Sequence, residues 1–137
     1  MHLIIDTYCE RLGLITSRQG MAGWLKMLAI QIDMTPTGDP YILGYPWPDG
    51  SDHDALTCFL PIGESGISVH CYPEKKFVFI DIFSCKDFDV DKTLDFVCNT
   101  LEAHGEKTLL LSRGVREGEI EPVSVILMRR KIEYGSY

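Results

Sequence analysis

Long apolar runs are missing from this 137-residue chain, and none approaches the roughly 18 residues that a membrane span requires. The opening Met1-His2-Leu3-Ile4-Ile5-Asp6 has neither the basic start nor the extended apolar stretch of a secretory signal. Positive charge is also scarce: 13 Lys and Arg stand against 20 Asp and Glu, and no basic cluster outgrows Arg129-Arg130-Lys131. Nucleic-acid binding draws its affinity from a Lys/Arg surface, so the balance argues against nucleic acid as a partner, and no membrane partner is expected. Cysteine lacks pattern. Cys9, Cys58, Cys71, Cys85 and Cys98 are odd in number and have no CxxC spacing, which disfavours a disulfide framework or a zinc site and favours a reducing cytoplasm. No metal or nucleotide cofactor is expected, and no internal repeat is visible.

What is present suits one domain spanning 1–137, since this length fills a single core and not two. Leu3–Cys9 reads as a strand. From Ser17 to about Met34, apolar residues recur at Met21, Trp24, Leu25, Leu28 and Ile32, which is the spacing of one helical face with Ser17 as N-cap. Pro36, Gly38 and Pro40 stop it. Residues 35–54 form the longest irregular stretch, with a short strand at Tyr41-Ile42-Leu43, and read as a lid or a surface arm. His53 in this stretch reads as solvated, while Tyr41, Tyr45 and Trp47 offer rings for stacking.

Three apolar runs follow, Ala55–Ile62, Ile67–Tyr72 and Phe77–Cys85, parted by Gly63-Glu64-Ser65-Gly66 and Pro73-Glu74-Lys75-Lys76. They predict two consecutive antiparallel hairpins. Asp89–His104 predicts a helix capped by Asp89 or Asp91 and ended by Gly105. Strands at Lys107–Ser112 and Val123–Lys131, joined by a turn around Arg113–Glu121, complete the chain. The expected fold is an α+β two-layer sandwich, a mainly antiparallel sheet with both helices on one face. Phe77, Phe79 and Phe83 alternate with Val78, Ile80 and Ile82, so both faces of the central strand are apolar. A second copy of the chain, pairing sheet to sheet in a four-layer α/β/β/α homodimer, would cover the open face.

Register supplies a geometric expectation. Antiparallel pairing about the Pro73–Lys76 turn sets Tyr72 opposite Phe77, His70 opposite Phe79, and Ser65 opposite Ser84, beside Cys85. Opposed residues have Cβ atoms about 5 Å apart, so Cys85 is delivered to Ser65. His70 lies five extended residues away, about 16 Å along its own strand. A lone chain cannot bring its own His70 to its own Ser65, whereas a two-fold partner can.

Singly these residues have ordinary roles: Ser65 as a turn residue, His70 as a core histidine, Cys85 as a small hydrophobe and Glu74 as a solvated charge. Jointly they carry a pattern. The segment Glu64-Ser65-Gly66-Ile67-Ser68-Val69-His70-Cys71-Tyr72-Pro73-Glu74, with Asp81-Ile82-Phe83-Ser84-Cys85 after it, resembles the core of the bacterial and archaeal S-adenosylmethionine decarboxylase proenzymes. That family has Glu-Ser at a self-cleavage point, His five residues on within His-x-x-Pro-Glu, and Cys twenty residues on. Ser65, His70, Glu74 and Cys85 keep those offsets without a gap. The likeness extends weakly to the His2-Leu3 strand and the Ser112-Arg113-Gly114 turn. The family also carries Phe-x-Pro-x-Gly-x-Ser-Gly one strand upstream, and Phe59–Gly66 reproduces that wording at the cleavage point itself.

The resemblance implies cleavage between Glu64 and Ser65 into a β chain 1–64 and an α chain 65–137. It implies a pyruvoyl group made from Ser65, which forms a Schiff base with the substrate amine and takes up electrons as CO₂ leaves. It assigns His70 to self-processing, Cys85 to proton donation and Glu74 to the substrate's ribose hydroxyls, with Tyr72 beside it. Thr57, eight residues before Ser65, stands where the family has a processing Ser. The implied activity is decarboxylation of S-adenosylmethionine for polyamine synthesis, at sites shared across a homodimer. Two alternatives stay open: a pyruvoyl decarboxylase of another amino acid, such as arginine or ornithine, and an uncleaved, non-catalytic homologue acting as a binding or regulatory partner.

Overall fold

The computed structural model describes residues 1–46 and 53–128. Trp47, the triplet Arg129–Lys131 and the end of the expected last strand lie outside the described residues. Among the described residues the elements run β1 (His2–Cys9), α1 (Leu12–Ile15), α2 (Arg18–Gln31), β2 (Tyr41–Tyr45), β3 (Ala55–Ile62), β4 (Ser65–Tyr72), β5 (Phe77–Ser84), α3 (Val90–Leu101), β6 (Ala103–Arg116) and β7 (Glu119–Met128). A 3-10 turn at Pro73–Lys75 joins β4 to β5. The strands form one antiparallel sheet in the order β2-β3-β4-β5-β1-β6-β7.

The α+β architecture is as expected, with both long helices on one face. Ser17 caps α2 by accepting from Gly20 N–H at 2.9 Å, and Asp89 caps α3 by accepting from Lys92 N–H at 2.9 Å. Met21, Trp24, Leu25 and Leu28 of α2 join Leu94, Val97 and Leu101 of α3 in one core with Leu3, Ile5, Leu60, Ile67, Val69, Val78, Ile80 and Ile82 from the sheet. The Trp24 indole N–H donates to Thr100 Oγ1 at 2.8 Å, which locks the two helices together while satisfying the buried ring's polar edge. On β5 the alternation is clean: Val78, Ile80 and Ile82 are fully buried, and Phe77, Phe79 and Phe83 point to the open face.

Several boundaries differ from expectation for local reasons. The helix α1 is a single turn, too short for periodicity to reveal. Glu102, at φ 49°, ends α3 in the left-handed conformation, not Gly105. Strand β6 must start at Ala103 because Ala103 and His104 pair with Cys9 and Tyr8. Gly105, at φ 63°, serves instead the bulge where the β1–β6 register shifts between Asp6 and Tyr8. The turn expected over Arg113–Glu121 shrinks to Glu117-Gly118, both at positive φ, so β6 and β7 each extend into it. Finally, the stretch 35–54 holds a full strand, β2, paired along its length with β3.

Because Ile80 is wholly buried at the centre of the sheet, Ile80→Ala is expected to lower the unfolding free energy by about 2–5 kcal/mol. Urea denaturation checks this, and a loss below about 1 kcal/mol would contradict the described core.

Candidate active site

The β3–β4 hairpin turns on Gly63 and Glu64 alone, since Ile62 already pairs with Ser65. Ser65 is therefore the first residue of β4 and not a turn residue, a correction of two positions to the strand's start. It takes φ 154°, a backbone conformation that L-residues rarely adopt and that glycine would occupy without strain. Glu64 and Ser65 thus flank a peptide bond at the mouth of a strained hairpin.

The β4–β5 register matches the geometric expectation at every position tested: Tyr72 opposite Phe77, His70 opposite Phe79, Ser65 opposite Ser84. One residue beyond that last pair, Cys85 N–H donates to the Glu64 carbonyl oxygen at 2.9 Å. Cys85 is therefore tied to the very carbonyl that precedes Ser65. Its side chain is exposed, while Cys9, Cys58, Cys71 and Cys98 are buried. Hydrogen bonding to Cys58, together with burial, pushes the Cys71 thiol up. Buried Ser84 fixes the end of β5: its hydroxyl donates to the Lys86 carbonyl at 2.7 Å and accepts from Lys86 N–H at 3.0 Å.

Glu64 itself is held from the other side. Its carboxylate accepts from Thr35 N–H at 3.1 Å and from Thr35 Oγ1 at 3.4 Å. The Thr35 N–H bond, followed by Glu64's own backbone N–H, the charge of Lys86 and the Thr35 hydroxyl, holds this carboxyl below the usual glutamate range.

A cavity of about 430 Å³ opens beside Ser65, walled by Phe59 and Phe83. His2, Asp81 and Arg113 supply its polar side. His2 Nε2 lies 2.9 Å from Asp81 Oδ1, and the Arg113 guanidinium stacks 4.0 Å over the Phe83 ring. A Cβ added at Gly66 would come within 2.8 Å of the Phe59 ring, so a side chain at that position would displace the aromatic wall.

The remaining expected residues lie elsewhere. Thr57 and His70 are cross-strand partners, with Oγ1 and Nδ1 3.4 Å apart. Tyr72 packs edge-on against Phe79, 5.6 Å between ring centroids. Glu74 sits in the 3-10 turn and lines a second cavity of about 510 Å³ with His53, Thr16 and Lys76. Within one chain, then, Glu64, Ser65 and Cys85 converge at one end of β4. Thr57 and His70 pair about 16 Å away along the strand, with Tyr72 and Glu74 beyond them.

Sequence reasoning missed the Cys85 N–H and the Thr35 contacts. Backbone donors leave no residue signature, and Thr35 is remote in sequence from the hairpin. His2, Asp81 and Arg113 were visible only as scattered members of the resemblance.

A family model described as S-adenosylmethionine decarboxylase matches residues 1–114. An S-adenosylmethionine decarboxylase proenzyme of Geobacillus sp. (strain WCH70) is 29% identical over 65 residues, covering 47% of this chain and 52% of that one. The alignment thus spans about half the length of this relative. The proenzyme of the same name from Clostridium botulinum (strain Loch Maree / Type A3) is 30% identical over 101 residues, covering 73% of this chain and 81% of the relative. The crystal structure of the adenosylmethionine decarboxylase from Aquifex aeolicus VF5 superimposes with a TM-score of 0.68 at 19% identity, over 88% of this chain and 95% of that one, and so shares the fold.

Cys85 is the exposed thiol among the five cysteines. A maleimide reagent applied to the native protein is expected to modify Cys85 at least tenfold faster than the others, read by peptide mass. Equal labelling of Cys58 or Cys71 would contradict their burial.

Proposed function

The chain belongs to the S-adenosylmethionine decarboxylase family, and on that premise we propose that it is a self-processing, pyruvoyl-dependent decarboxylase. It cuts itself between Glu64 and Ser65, separating residues 1–64 from 65–137, and then decarboxylates S-adenosylmethionine to the aminopropyl donor of polyamine synthesis. The observation that carries this reading is the Cys85 N–H on the Glu64 carbonyl beside a Ser65 held at φ 154°.

Those contacts support self-processing. Ser65 Oγ attacks the Glu64 carbonyl carbon, and the amide becomes an ester as the Glu64–Ser65 C–N bond breaks. The developing oxyanion lies where Cys85 N–H already donates, and such preorganised donors lower the barrier to tetrahedral intermediates. The strained φ at Ser65 raises the energy of the starting amide. Loss of the Ser65 Cα proton and cleavage of its Cβ–Oγ bond expel the α-carboxylate of Glu64 and leave dehydroalanine, whose hydrolysis releases ammonia and yields the pyruvoyl group.

A hydroxyl needs a base to attack, and His70 of the same chain is out of reach. The open face of the sheet, with Tyr8, Phe59 and Phe79 exposed, is the surface through which a second copy brings its Thr57–His70 pair to Ser65. The sites are accordingly shared in a homodimer. Once formed, the pyruvoyl group supplies an electron sink for decarboxylation. Exposed Cys85 delivers the proton that replaces CO₂, Phe59 and Phe83 offer aromatic walls for a nucleoside, and Glu74 with Tyr72 from the partner completes substrate binding. Five free cysteines suit a reducing, cytoplasmic setting.

CO₂ release from S-adenosylmethionine, arginine and ornithine tests the substrate. Turnover of S-adenosylmethionine alone is expected, and turnover of either other amino acid in its place would overturn the assignment. Cys85→Ala retains the backbone N–H, so it still cleaves but should decarboxylate about 10²-fold more slowly; unimpaired decarboxylation would remove the thiol from the mechanism. Co-expression of Ser65→Ala and His70→Ala chains tests sharing. The His70→Ala chain is expected to cleave only in the mixture, and cleavage of it alone would contradict a shared site.

A further inference from the structure

The segment that follows α2 touches the acyl side of the bond assigned to self-cleavage and the residue after Cys85. Helix α2 ends in a left-handed Asp33 at φ 55°, with Met34 N–H donating to the Ala29 carbonyl at 2.8 Å, so the chain leaves the helix in a fixed direction. Residues 35–37 then run beside the end of β3. Gly63 N–H donates to the Thr35 carbonyl at 2.8 Å, and Thr37 N–H to the Pro61 carbonyl at 3.0 Å. Thr35 returns two donors to the Glu64 carboxylate. Two residues earlier, the Asp33 carbonyl accepts from Lys86 Nζ at 2.9 Å, and Lys86 is the neighbour of Cys85.

We propose that residues 33–35 form a clamp that positions the Glu64 carbonyl on Cys85 N–H, with the Glu64 side chain as its handle. This rests on the self-processing reading above and assigns a positioning role to Thr35, Glu64 and Lys86 that the reaction itself does not require. The chemistry needs only a carbonyl preceding Ser65, and any residue at 64 supplies one. Glu64 adds a carboxylate that anchors the peptide on its acyl side.

Without that anchor, the two-residue turn Gly63-Glu64 is free to rotate the carbonyl away from its donor. A hydrogen bond weakens steeply once its angle falls toward 120°. The Lys86 tether performs the same task for the donor strand. Acceptor and donor of the Cys85–Glu64 bond are thereby referenced to one segment, residues 33–35 just after α2. The Thr35 N–H bond lowers the ionisation of Glu64 below the ordinary glutamate range, which agrees with a carboxylate held by this segment.

The test follows cleavage of the freshly made full-length chain by mass spectrometry, with thermal melting recorded in parallel. Glu64→Ala is expected to slow cleavage at least tenfold while its melting temperature stays within a few degrees of wild type. Glu64→Gln keeps an oxygen acceptor for Thr35 N–H and should recover most of that loss, and Lys86→Met should slow cleavage several-fold. A Glu64→Ala chain that cleaves as fast as wild type overturns the clamp and leaves self-processing intact. So does Glu64→Gln being as slow as Glu64→Ala with both melting early, since that marks a merely structural role. A wild-type chain that never cleaves overturns the self-processing reading and the clamp with it.

Discussion

The register between β4 and β5 is the constraint on which the site depends. It is set at the Pro73–Lys75 turn and propagates pair by pair to Ser65 opposite Ser84. At its far end it places Cys85 N–H on the Glu64 carbonyl. A slip of one residue would flip every side chain of β4 to the other face. Ile67, Val69 and Cys71 would leave the core, so burial of those three enforces the position of the Glu64 carbonyl. Stability of the sheet and geometry of the site are one requirement.

The same sheet divides labour by face. Helices α2 and α3 seal one side around Val78, Ile80 and Ile82. The other carries aromatic residues interspersed with His2, Asp81 and His70. A face that is apolar and yet bears the histidines and a carboxylate suits a surface completed by a second copy. Within one chain the groups assigned to nucleophile and base lie at different heights on β4, and the proposed two-fold axis across the open face would reconcile them.

Much of this was legible in the sequence because it depends on period and offset. Alternation in Phe77–Ser84 and the four residues Pro73–Lys76 are enough to set His70 opposite Phe79 and Ser65 opposite Ser84. Ser17 and Asp89 declare both helix starts through their side-chain oxygens. What escaped is what backbone atoms do. Glu102, with no glycine to mark it, adopts φ 49° because β6 must begin at once to pair with β1. Ser65 reads as turn until the tightness of Gly63-Glu64 draws it into the strand with φ 154°. Thr35 reaches Glu64 across 29 residues of sequence separation by way of an αL turn at Asp33. None of these leaves a residue-type signal at the position where it acts.

Self-processing turns on one covalent bond, and its most direct measurement is the intact mass of the purified chain after long incubation at neutral pH. Two polypeptides are expected, one ending at Glu64 and one beginning with a pyruvoyl-blocked residue 65, and a single uncleaved species for Ser65→Ala. A full-length wild-type mass that persists unchanged would contradict it.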